Sequence, residues 1–331
     1  MPDKHRLLVI GAGSIGERHV RCFQATGRAD VAVCDIDHAR AAEVAATYAA
    51  RCHPDLDAAL AAAPEAAVIA TPADLHVALA ARLAERGVHL LIEKPLGTSL
   101  DAVERLRELV AERRLVAAVA YVYRLHPALA AMRQAVVEGR FGEPVELVAV
   151  AGQHFPTYRP AFRQTYYARR ASGGGAIQDA LTHVVNAAEW LIGPAERVVA
   201  DAGRQVLDGV DVEDTVHLLA RHGGVPASYA LNQHQAPNEL SITVVCRGGT
   251  ARFEYHRDRW RWKTRPDEAW HDEACQPLTR DGLFTAQAEV FLDALEGLRQ
   301  PPCSLDEGIQ TLRVNLAALA SVDRRAWQAV C

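Results

Sequence analysis

Two segments of this chain contain residues suited to ligand binding or catalysis. Residues 11–16 read Gly-Ala-Gly-Ser-Ile-Gly, a G-x-G-x-x-G pattern that lets backbone approach a pyrophosphate. Asp179 and His183 are four residues apart, so on a helix they share one face, with Asn186 close to the same stripe. Because an imidazole titrates near neutral pH, His183 can accept the proton of a hydroxyl while its carbon releases hydride.

The glycine motif stands between an apolar run at 6–10 and a segment with helical patterning. In that context the first glycine permits a sharp turn, the second admits the phosphates and the third lets helix pack on strand. Free N–H groups at the helix start face the phosphates. We therefore predict a dinucleotide site at Gly11, Gly13, Ser14, Ile15 and Gly16. Without its surroundings, the motif would fit an ordinary glycine turn equally well.

A second apolar run, at 31–34, ends at Asp35. The acid that binds the adenosine ribose lies about 20 residues after the glycine motif in such folds. A carboxylate there repels a 2'-phosphate, so Asp35 favours NAD over NADP. Arg40 lies nearby and can soften that repulsion, which leaves NADP possible.

Strand and helix patterns then alternate up to about residue 121, which predicts an α/β fold with a doubly wound parallel sheet. The predicted elements are helices at 38–49, 74–86 and 99–113, and strands at 66–70, 88–92 and 115–121. Thr71, Pro72 and the triplet Glu93-Lys94-Pro95 directly follow strands. They are expected at the carboxyl edge of the sheet, where ligands bind.

Beyond Tyr121 this alternation ceases, so we predict one domain over 1–121 and a second over 122–331. The second contains predicted helices at 128–139 and 176–192, an extended run at 145–153, and β-rich stretches with glycine pairs from 196 to 262. This pattern predicts an α+β domain with an antiparallel or mixed sheet.

Composition narrows the possible partners. The net charge of -5 gives no general basic field, so we expect no nucleic-acid partner. No signal-peptide core or membrane-spanning run is found, which predicts a cytoplasmic protein without membrane contact. The seven cysteines form no C-x-x-C pair, so we predict free thiols and no metal site.

Several segments together resemble the Gfo/Idh/MocA family, named after glucose-fructose oxidoreductase, inositol dehydrogenase and the rhizopine catabolism protein. They are GAGSIG at 11–16, ATPADLH at 70–76, Glu93-Lys94-Pro95, YRLHP at 123–127 and GGGAIQDALTHVVNAAEWLIG at 173–193. The resemblance covers essentially the whole chain. It implies an NAD(P)-dependent oxidoreductase that moves a hydride between a nicotinamide and a hydroxyl or keto carbon of a sugar, cyclitol or nucleotide-activated sugar.

The resemblance further implies a large open, mostly antiparallel sheet in the second domain and a nicotinamide between the domains. A lysine, an aspartate and a histidine would surround the reacting carbon. We therefore predict His183 as the acid/base, Lys94 as the group that polarises the reacting oxygen, and Asp179 as the group that orients the pair. Taken alone, an i, i+4 Asp–His pair would be an ordinary surface pair. The matching cofactor positions are Thr71, Pro72, His76, Glu93 and Lys94.

The substrate and partner predictions are broader. Polar side chains suited to a hydroxylated ring are Tyr123, Arg124, His126, Arg163, Tyr167 and Asn186. Relatives often carry aspartate at the position of Asn186, and they commonly associate through the outer face of the second sheet. That association predicts a homodimer or homotetramer. Two other functions also fit the sequence: an NAD-dependent glycosidase that oxidises its substrate transiently, and a non-catalytic dinucleotide-binding regulator.

Overall fold

A computed structural model describes residues 4–331, which fall into two compact units. The first unit extends to Val122 and also includes Leu278–Ile309. The second comprises Tyr123–Pro277 and Gln310–Cys331. Within residues 4–331, no helix combines the length and the apolar character needed to cross a membrane. No disulfide joins any of the seven cysteines, all of which lie in this described part of the chain.

A six-stranded parallel sheet forms the centre of the first unit. Its strands are β1 (His5–Ile10), β2 (Ala29–Cys34), β3 (Arg51–Cys52), β4 (Ala66–Ile69), β5 (His89–Ile92) and β6 (Ala117–Val119). Their spatial order, β3-β2-β1-β4-β5-β6, is that of a doubly wound dinucleotide-binding sheet, which confirms the predicted fold. All four residues of β4 are buried, as expected for a strand covered on both faces.

The helices of the first unit include one from late in the chain. They are α1 (Ser14–Ala25), α2 (His38–Tyr48), α3 (Leu56–Ala61), α4 (His76–Ala84), α5 (Val103–Glu112) and α9 (Gly282–Leu295). Helix α9 packs on α1, where the rings of Phe23 and Phe291 meet edge-on at 6.2 Å. Arg28 adds an ion pair with Glu289. This packing brings 278–309 into the first unit, so the predicted boundary, which kept 122–331 together, was wrong for these residues.

The second unit contains a nine-stranded sheet. Its strands are β7 (Pro144–Gly152), β8 (Arg197–Gly203), β9 (Thr215–His222), β10 (Val225–Asn232), β11 (Glu239–Cys246), β12 (Gly249–Glu254), β13 (Arg259–Lys263), β14 (His271–Ala274) and β15 (Gln328–Ala329). The spatial order is β14-β13-β12-β11-β7-β10-β9-β8-β15. Strands β7 and β10 pair in parallel and the other neighbours pair antiparallel, which confirms the predicted mostly antiparallel sheet.

Helices cover one face of this sheet. They are α6 (Pro127–Val137), α8 (Thr182–Ile192) and α10 (Leu305–Arg324), the last of which enters the unit at Gln310. The short helix α7 (Phe155–Tyr158) instead packs through Phe155 in a separate small apolar cluster. Met132, Val184 and Ala318 lie in the same buried cluster as the inward-facing residues of the strands. On the opposite face, Val150 and Leu219 are 44% and 52% exposed.

The turn that carries Asp179 differs from the prediction. Ala176–Leu181 is a π-helix, and α8 begins only at Thr182. The prediction of a single α-helix over 176–192 was therefore wrong for its first six residues. The backbone carbonyl of Glu213 accepts the N–H of Ala176, and the Glu213 carboxylate accepts the N–H of Ile177. These partners lie 36 residues or more along the chain from the helix start, so sequence periodicity does not reveal them. Single π-turns are frequent at functional sites.

Candidate active site

The glycine turn has the geometry that a dinucleotide requires. Gly11 has a φ of +98°, and a Cβ there would lie 2.5 Å from the carbonyl oxygen of Ala70. A Cβ on Gly16 would lie 1.8 Å from the oxygen of Gly11. These two positions therefore need glycine for the sharp turn and for close packing of α1. At Gly13 an added Cβ meets no atom within 4 Å, which leaves open space for phosphate beside the helix start.

Helix α1 begins at Ser14 without a capping side chain among residues 4–331. Backbone N–H groups in the first turn of a helix lack partners within the helix, and the helix dipole adds positive charge there. Ser14 is exposed and Ile15 is half-buried at this end. The predicted phosphate site therefore has both the space and the donors that NAD needs.

Asp35 lies at the carboxyl end of β2, where the ribose acid was predicted. Its Oδ2 accepts the N–H of Ala12 at 2.5 Å, and its Oδ1 accepts the N–H of Asp37 at 2.8 Å. The carboxylate is therefore held against the glycine turn itself. The neighbouring Ile36 is 98% exposed, which places an apolar surface beside the ribose acid. Ile36 was not among the predicted cofactor residues, although an apolar residue just beyond a strand end is a recognisable signal.

Arg40 is already engaged. Its Nε donates to the oxygen of Ala12 at 3.1 Å, and its guanidinium forms ion pairs with Glu17 and Glu43. Two carboxylates compensate its charge, so it offers little to a 2'-phosphate. This arrangement supports the predicted preference for NAD.

Glu93 lies directly after β5, but its side chain faces the interior of the unit. Its Oε1 is 2.7 Å from Nε2 of the buried His19, and its Oε2 accepts the N–H of Lys94 at 3.1 Å. Burial by itself would raise the pKa of Glu93, but the hydrogen bond from His19 and the charges of His19 and Lys94 lower it overall. The carboxylate therefore stays ionised. A direct cofactor contact, as predicted for Glu93, is replaced by these internal bonds, whereas Lys94 is half-buried at the strand end.

His76 is also turned inward, which corrects its predicted cofactor contact. The ring is 1% exposed. Its Nδ1 is 2.9 Å from the carbonyl oxygen of Pro95, and its Nε2 is 2.8 Å from that of Thr71. Burial lowers the pKa of His76. The histidine thus ties together the two loops that follow β4 and β5, while Thr71 and Pro72 stay at the sheet edge.

In the second unit, Asp179 and His183 each contact a tyrosine. The Tyr166 hydroxyl donates to Oδ1 of Asp179 at 2.7 Å. The Tyr123 ring stacks on His183 with centroids 4.8 Å apart and planes 28° apart. Both Asp179 and His183 are half-buried, so they are accessible at the surface of the unit. Burial raises the pKa of Tyr123, which keeps its hydroxyl protonated beside the imidazole.

The residues predicted to contact substrate included Tyr167 but not its neighbour Tyr166. Tyr167 is 2% exposed and packs with Phe155 and Phe162 in a small apolar cluster. Its hydroxyl donates to Gln233. The predicted substrate contact of Tyr167 is therefore replaced by core packing. Two adjacent tyrosines in an irregular loop point in different directions, and sequence alone does not say which one is buried.

His126 likewise has a structural position. It is 0% exposed, and its Nδ1 accepts the N–H of Ala128 at the start of α6. Its Nε2 is 3.4 Å from the Asp258 carboxylate, and burial lowers its pKa. His126 therefore caps a helix, which corrects its predicted contact with substrate.

Arg124 and Asn186 belong to an interior polar network. Arg124 is 4% exposed, and its Nε donates to Oδ1 of Asn186 at 2.8 Å. The Asn186 amide donates to Thr311, whose hydroxyl donates to Glu189 at 2.7 Å. The predicted substrate contacts of this pair are thus replaced by internal hydrogen bonds. Arg163, by contrast, is exposed and is held by the carbonyl oxygen of Asp208 at 2.7 Å.

The three predicted catalytic side chains are divided between the units. Lys94 belongs to the first unit, whereas Asp179 and His183 belong to the second. Their convergence around one substrate carbon stays a prediction. Among residues 4–331, no group of three or more His, Cys, Asp or Glu side chains is arranged to hold a metal ion.

Comparison with known proteins matches both units. Residues 5–121 match the family model for the Gfo/Idh/MocA oxidoreductase family, NAD-binding Rossmann fold. Residues 129–252 match the Gfo/Idh/MocA C-terminal domain.

Two curated relatives match almost end to end. UDP-N-acetylglucosamine 3-dehydrogenase of Acidithiobacillus ferrooxidans is 30% identical over 319 residues, covering 94% of each chain. Inositol 2-dehydrogenase of Rhizobium meliloti is 32% identical over 334 residues, covering 96% of each. Among solved structures, levoglucosan dehydrogenase in complex with NADH superposes with a TM-score of 0.91. That match covers 99% of this chain and 100% of the other at 21% identity, which shows a shared fold.

Proposed function

The chain belongs to the Gfo/Idh/MocA family of NAD-binding oxidoreductases, and we propose that it transfers a hydride between NAD and a hydroxyl or keto carbon of a sugar-like substrate. The main support is the half-buried pair of Asp179, in the π-turn, and His183, at the start of α8, with a tyrosine against each member. The complete dinucleotide turn at Gly11–Gly16 supports the same conclusion. The two curated relatives act on inositol and on a nucleotide-activated sugar, so polyhydroxylated rings are the proposed substrate class.

Each side chain has a distinct task in this proposal. Bound NAD supplies the hydride acceptor or donor. His183 takes the hydroxyl proton, and Lys94 hydrogen-bonds the same oxygen and stabilises its developing negative charge. The Asp179 carboxylate, which accepts a hydrogen bond from Tyr166, orients His183 and Lys94. It also favours the charged form that His183 takes when it accepts the proton. The stacked Tyr123 ring limits rotation of the imidazole.

The charge of one segment narrows the substrate class further. Residues 153–178 contain four arginines and no aspartate or glutamate. All four are exposed, but Arg170 forms an ion pair with Asp323, so the positive charge comes mainly from Arg159, Arg163 and Arg169. Tyr166 in this segment bonds to Asp179, so the positive charge lies close to the proposed site. We therefore favour a substrate with a phosphate or carboxylate, such as a nucleotide-activated sugar, over a neutral cyclitol.

A substrate panel tests the function directly. The purified protein with NAD is given nucleotide-activated sugars, uronic acids, neutral hexoses and inositols, and nicotinamide absorbance and sugar products are followed together. The proposal requires reduced cofactor to form in proportion to oxidised sugar. Cleavage of a glycosidic bond without net cofactor change would instead show the glycosidase. Tight dinucleotide binding without turnover of any compound would favour a regulator.

Replacing Asp35 with asparagine should narrow the preference for NAD over NADP. The amide keeps one oxygen for backbone N–H groups but removes the charge that binds the ribose and repels a 2'-phosphate. Hydrogen bonds to charged groups contribute about 1.5–3 kcal/mol, so NAD affinity should fall about 10-fold or more. Fluorescence titration with NADH and NADPH measures both affinities. Asp30→Asn, at an exposed site on the same strand, is the matched control. Tighter binding of NADPH by the unaltered protein would refute the role of Asp35.

We also propose that the protein works in the cytoplasm as a homodimer or homotetramer. The support is the open face of the second sheet, where β7 and β9–β11 present mainly small, apolar and hydroxyl side chains. Val150 lies at the centre of this face, between Ala230 and Ser241. Glu146, Arg221 and Glu239 lie near the ends of these strands, whereas the centre of the face carries no charged side chain. A broad sheet face with an uncharged centre is the kind of surface that a second copy covers.

Val150→Asp should therefore dissociate the oligomer. In a two-fold interface a substitution introduces a buried, unpaired charge in each copy, which is strongly unfavourable. Light scattering coupled to gel filtration should change from a multiple of 36.0 kDa to 36.0 kDa. Val137→Asp, on an exposed helix position, is the control and should leave the mass unchanged. A monomeric mass for the unaltered protein would end this proposal.

A further inference from the structure

A buried histidine in the first unit has no role in the proposed chemistry. His19 lies on α1, the helix that begins at the glycine turn, and is 0% exposed. Its Nε2 is 2.7 Å from Oε1 of Glu93, which is 5% exposed. The ring is also packed edge-on against Phe284 at 5.7 Å. Burying a histidine–carboxylate pair is costly, and replacement by apolar side chains is often neutral or stabilising. Stability alone is therefore a weak reason for the pair.

The pair reaches Lys94 through the carboxylate. Oε2 of Glu93 accepts the backbone N–H of Lys94 at 3.1 Å, while Oε1 is held by His19. On the other side of Lys94, the carbonyl oxygen of Pro95 lies against Nδ1 of His76. Two buried histidines thus act on the chain around the lysine: His19 through the Glu93 carboxylate, and His76 at the Pro95 carbonyl one residue further on. Only one of them, His19, comes from the helix whose first turn is the phosphate site.

We propose that His19 is a positioning residue for Lys94: it orients the Glu93 carboxylate, which in turn sets the peptide from which the lysine side chain departs. The proposal rests on the proposed function, in which Lys94 contacts the reacting oxygen. It also links two parts of the proposed cofactor site, the start of α1 and the end of β5. A dinucleotide bound at the start of α1 and the lysine at the end of β5 are joined through His19 and Glu93.

Paired substitutions separate positioning from stability. His19→Leu fills a similar volume without a hydrogen-bond donor and leaves the Glu93 carboxylate buried without that partner. His19→Gln retains a donor that can reach the same oxygen. The matched controls are His222→Leu and His222→Gln in the second unit, because His222 is also buried and its two nitrogens bond to Gly193 and Tyr229.

The first readout is steady-state kinetics with NADH affinity measured separately. A displacement of about 1 Å in a reacting group can cost about 100-fold in rate. We expect His19→Leu to lower kcat about 10- to 100-fold, with little change in substrate KM and NADH affinity. His19→Gln should restore most of kcat. Both His222 variants should lose thermal stability with kcat near that of the unaltered protein.

The second readout does not depend on activity. Reductive methylation with formaldehyde and cyanoborohydride, followed by mass spectrometry, reports the reactivity of Lys94, with Lys263 as internal reference. His19→Leu should change the labelling rate of Lys94 relative to Lys263, and His19→Gln should restore the ratio found for the unaltered protein. Unchanged Lys94 labelling in a folded His19→Leu protein would overturn the proposal, whatever happens to its melting temperature.

The two readouts also distinguish this proposal from the function itself. If the unaltered protein oxidises no compound of the panel, the proposed function fails, but labelling still decides whether His19 positions Lys94. If His19→Leu does not fold, Glu93→Gln replaces it, since that variant keeps the shape of the side chain and removes the charge. Altered Lys94 labelling in Glu93→Gln supports the link, and wild-type labelling refutes it.

Discussion

Replacing His183 with alanine should reduce kcat by about 10²- to 10⁴-fold, the usual contribution of a positioned general base. The variant loses the group that accepts the hydroxyl proton, and water has no fixed position from which to replace it. NADH affinity should change little, because the predicted phosphate and ribose contacts belong to the other unit. Stopped-flow and steady-state assays with the best substrate of the panel measure the loss.

His271→Ala serves as the control for His183, because His271 is an exposed histidine of the same unit that stacks on Trp262. Its turnover should match that of the unaltered protein. If His183→Ala also turns over at the wild-type rate, the acid/base must be another group. Circular dichroism and melting temperatures exclude misfolding as the cause of any loss.

Lys94→Ala should also lower kcat about 100-fold or more, since one donor aimed at a developing oxyanion contributes about 10² to 10³ in rate. Lys94→Arg is the informative companion. A guanidinium keeps the charge but is planar and longer, so it cannot place a single compact donor at the same point. We expect it to remain strongly impaired.

Lys263→Ala is the matched control for Lys94, because the Lys263 ammonium is engaged by the Pro266 carbonyl at an exposed turn. Its kcat and NADH affinity should be unaffected. Turnover of Lys94→Ala at the rate of Lys263→Ala would refute the assigned role. The double variant of Lys94 and His183 should be less impaired than the product of the two single losses if the groups act on one oxygen.

The architecture of the cofactor half follows from local residue patterns. A glycine turn between an apolar strand and a helix is a local requirement, and Gly11 and Gly16 are needed because neighbouring backbone comes too close for any side chain. Asp35 and Glu93 directly follow strands. Because the carboxyl ends of parallel strands meet at one edge of the sheet, both residues lie at that edge. Short apolar runs buried on both faces signal such strands without further information.

Local residue patterns do not reveal which polar side chains face outward. His76, His126 and Tyr167 resemble site residues in sequence, but each is buried and has at least one polar side-chain atom bonded inside the protein. Tyr166 becomes a neighbour of Asp179 instead. Residues 278–309 likewise belong to the first unit although they follow the second in sequence. Burial and partners depend on packing between segments far apart in the chain, and this information is absent from local periodicity.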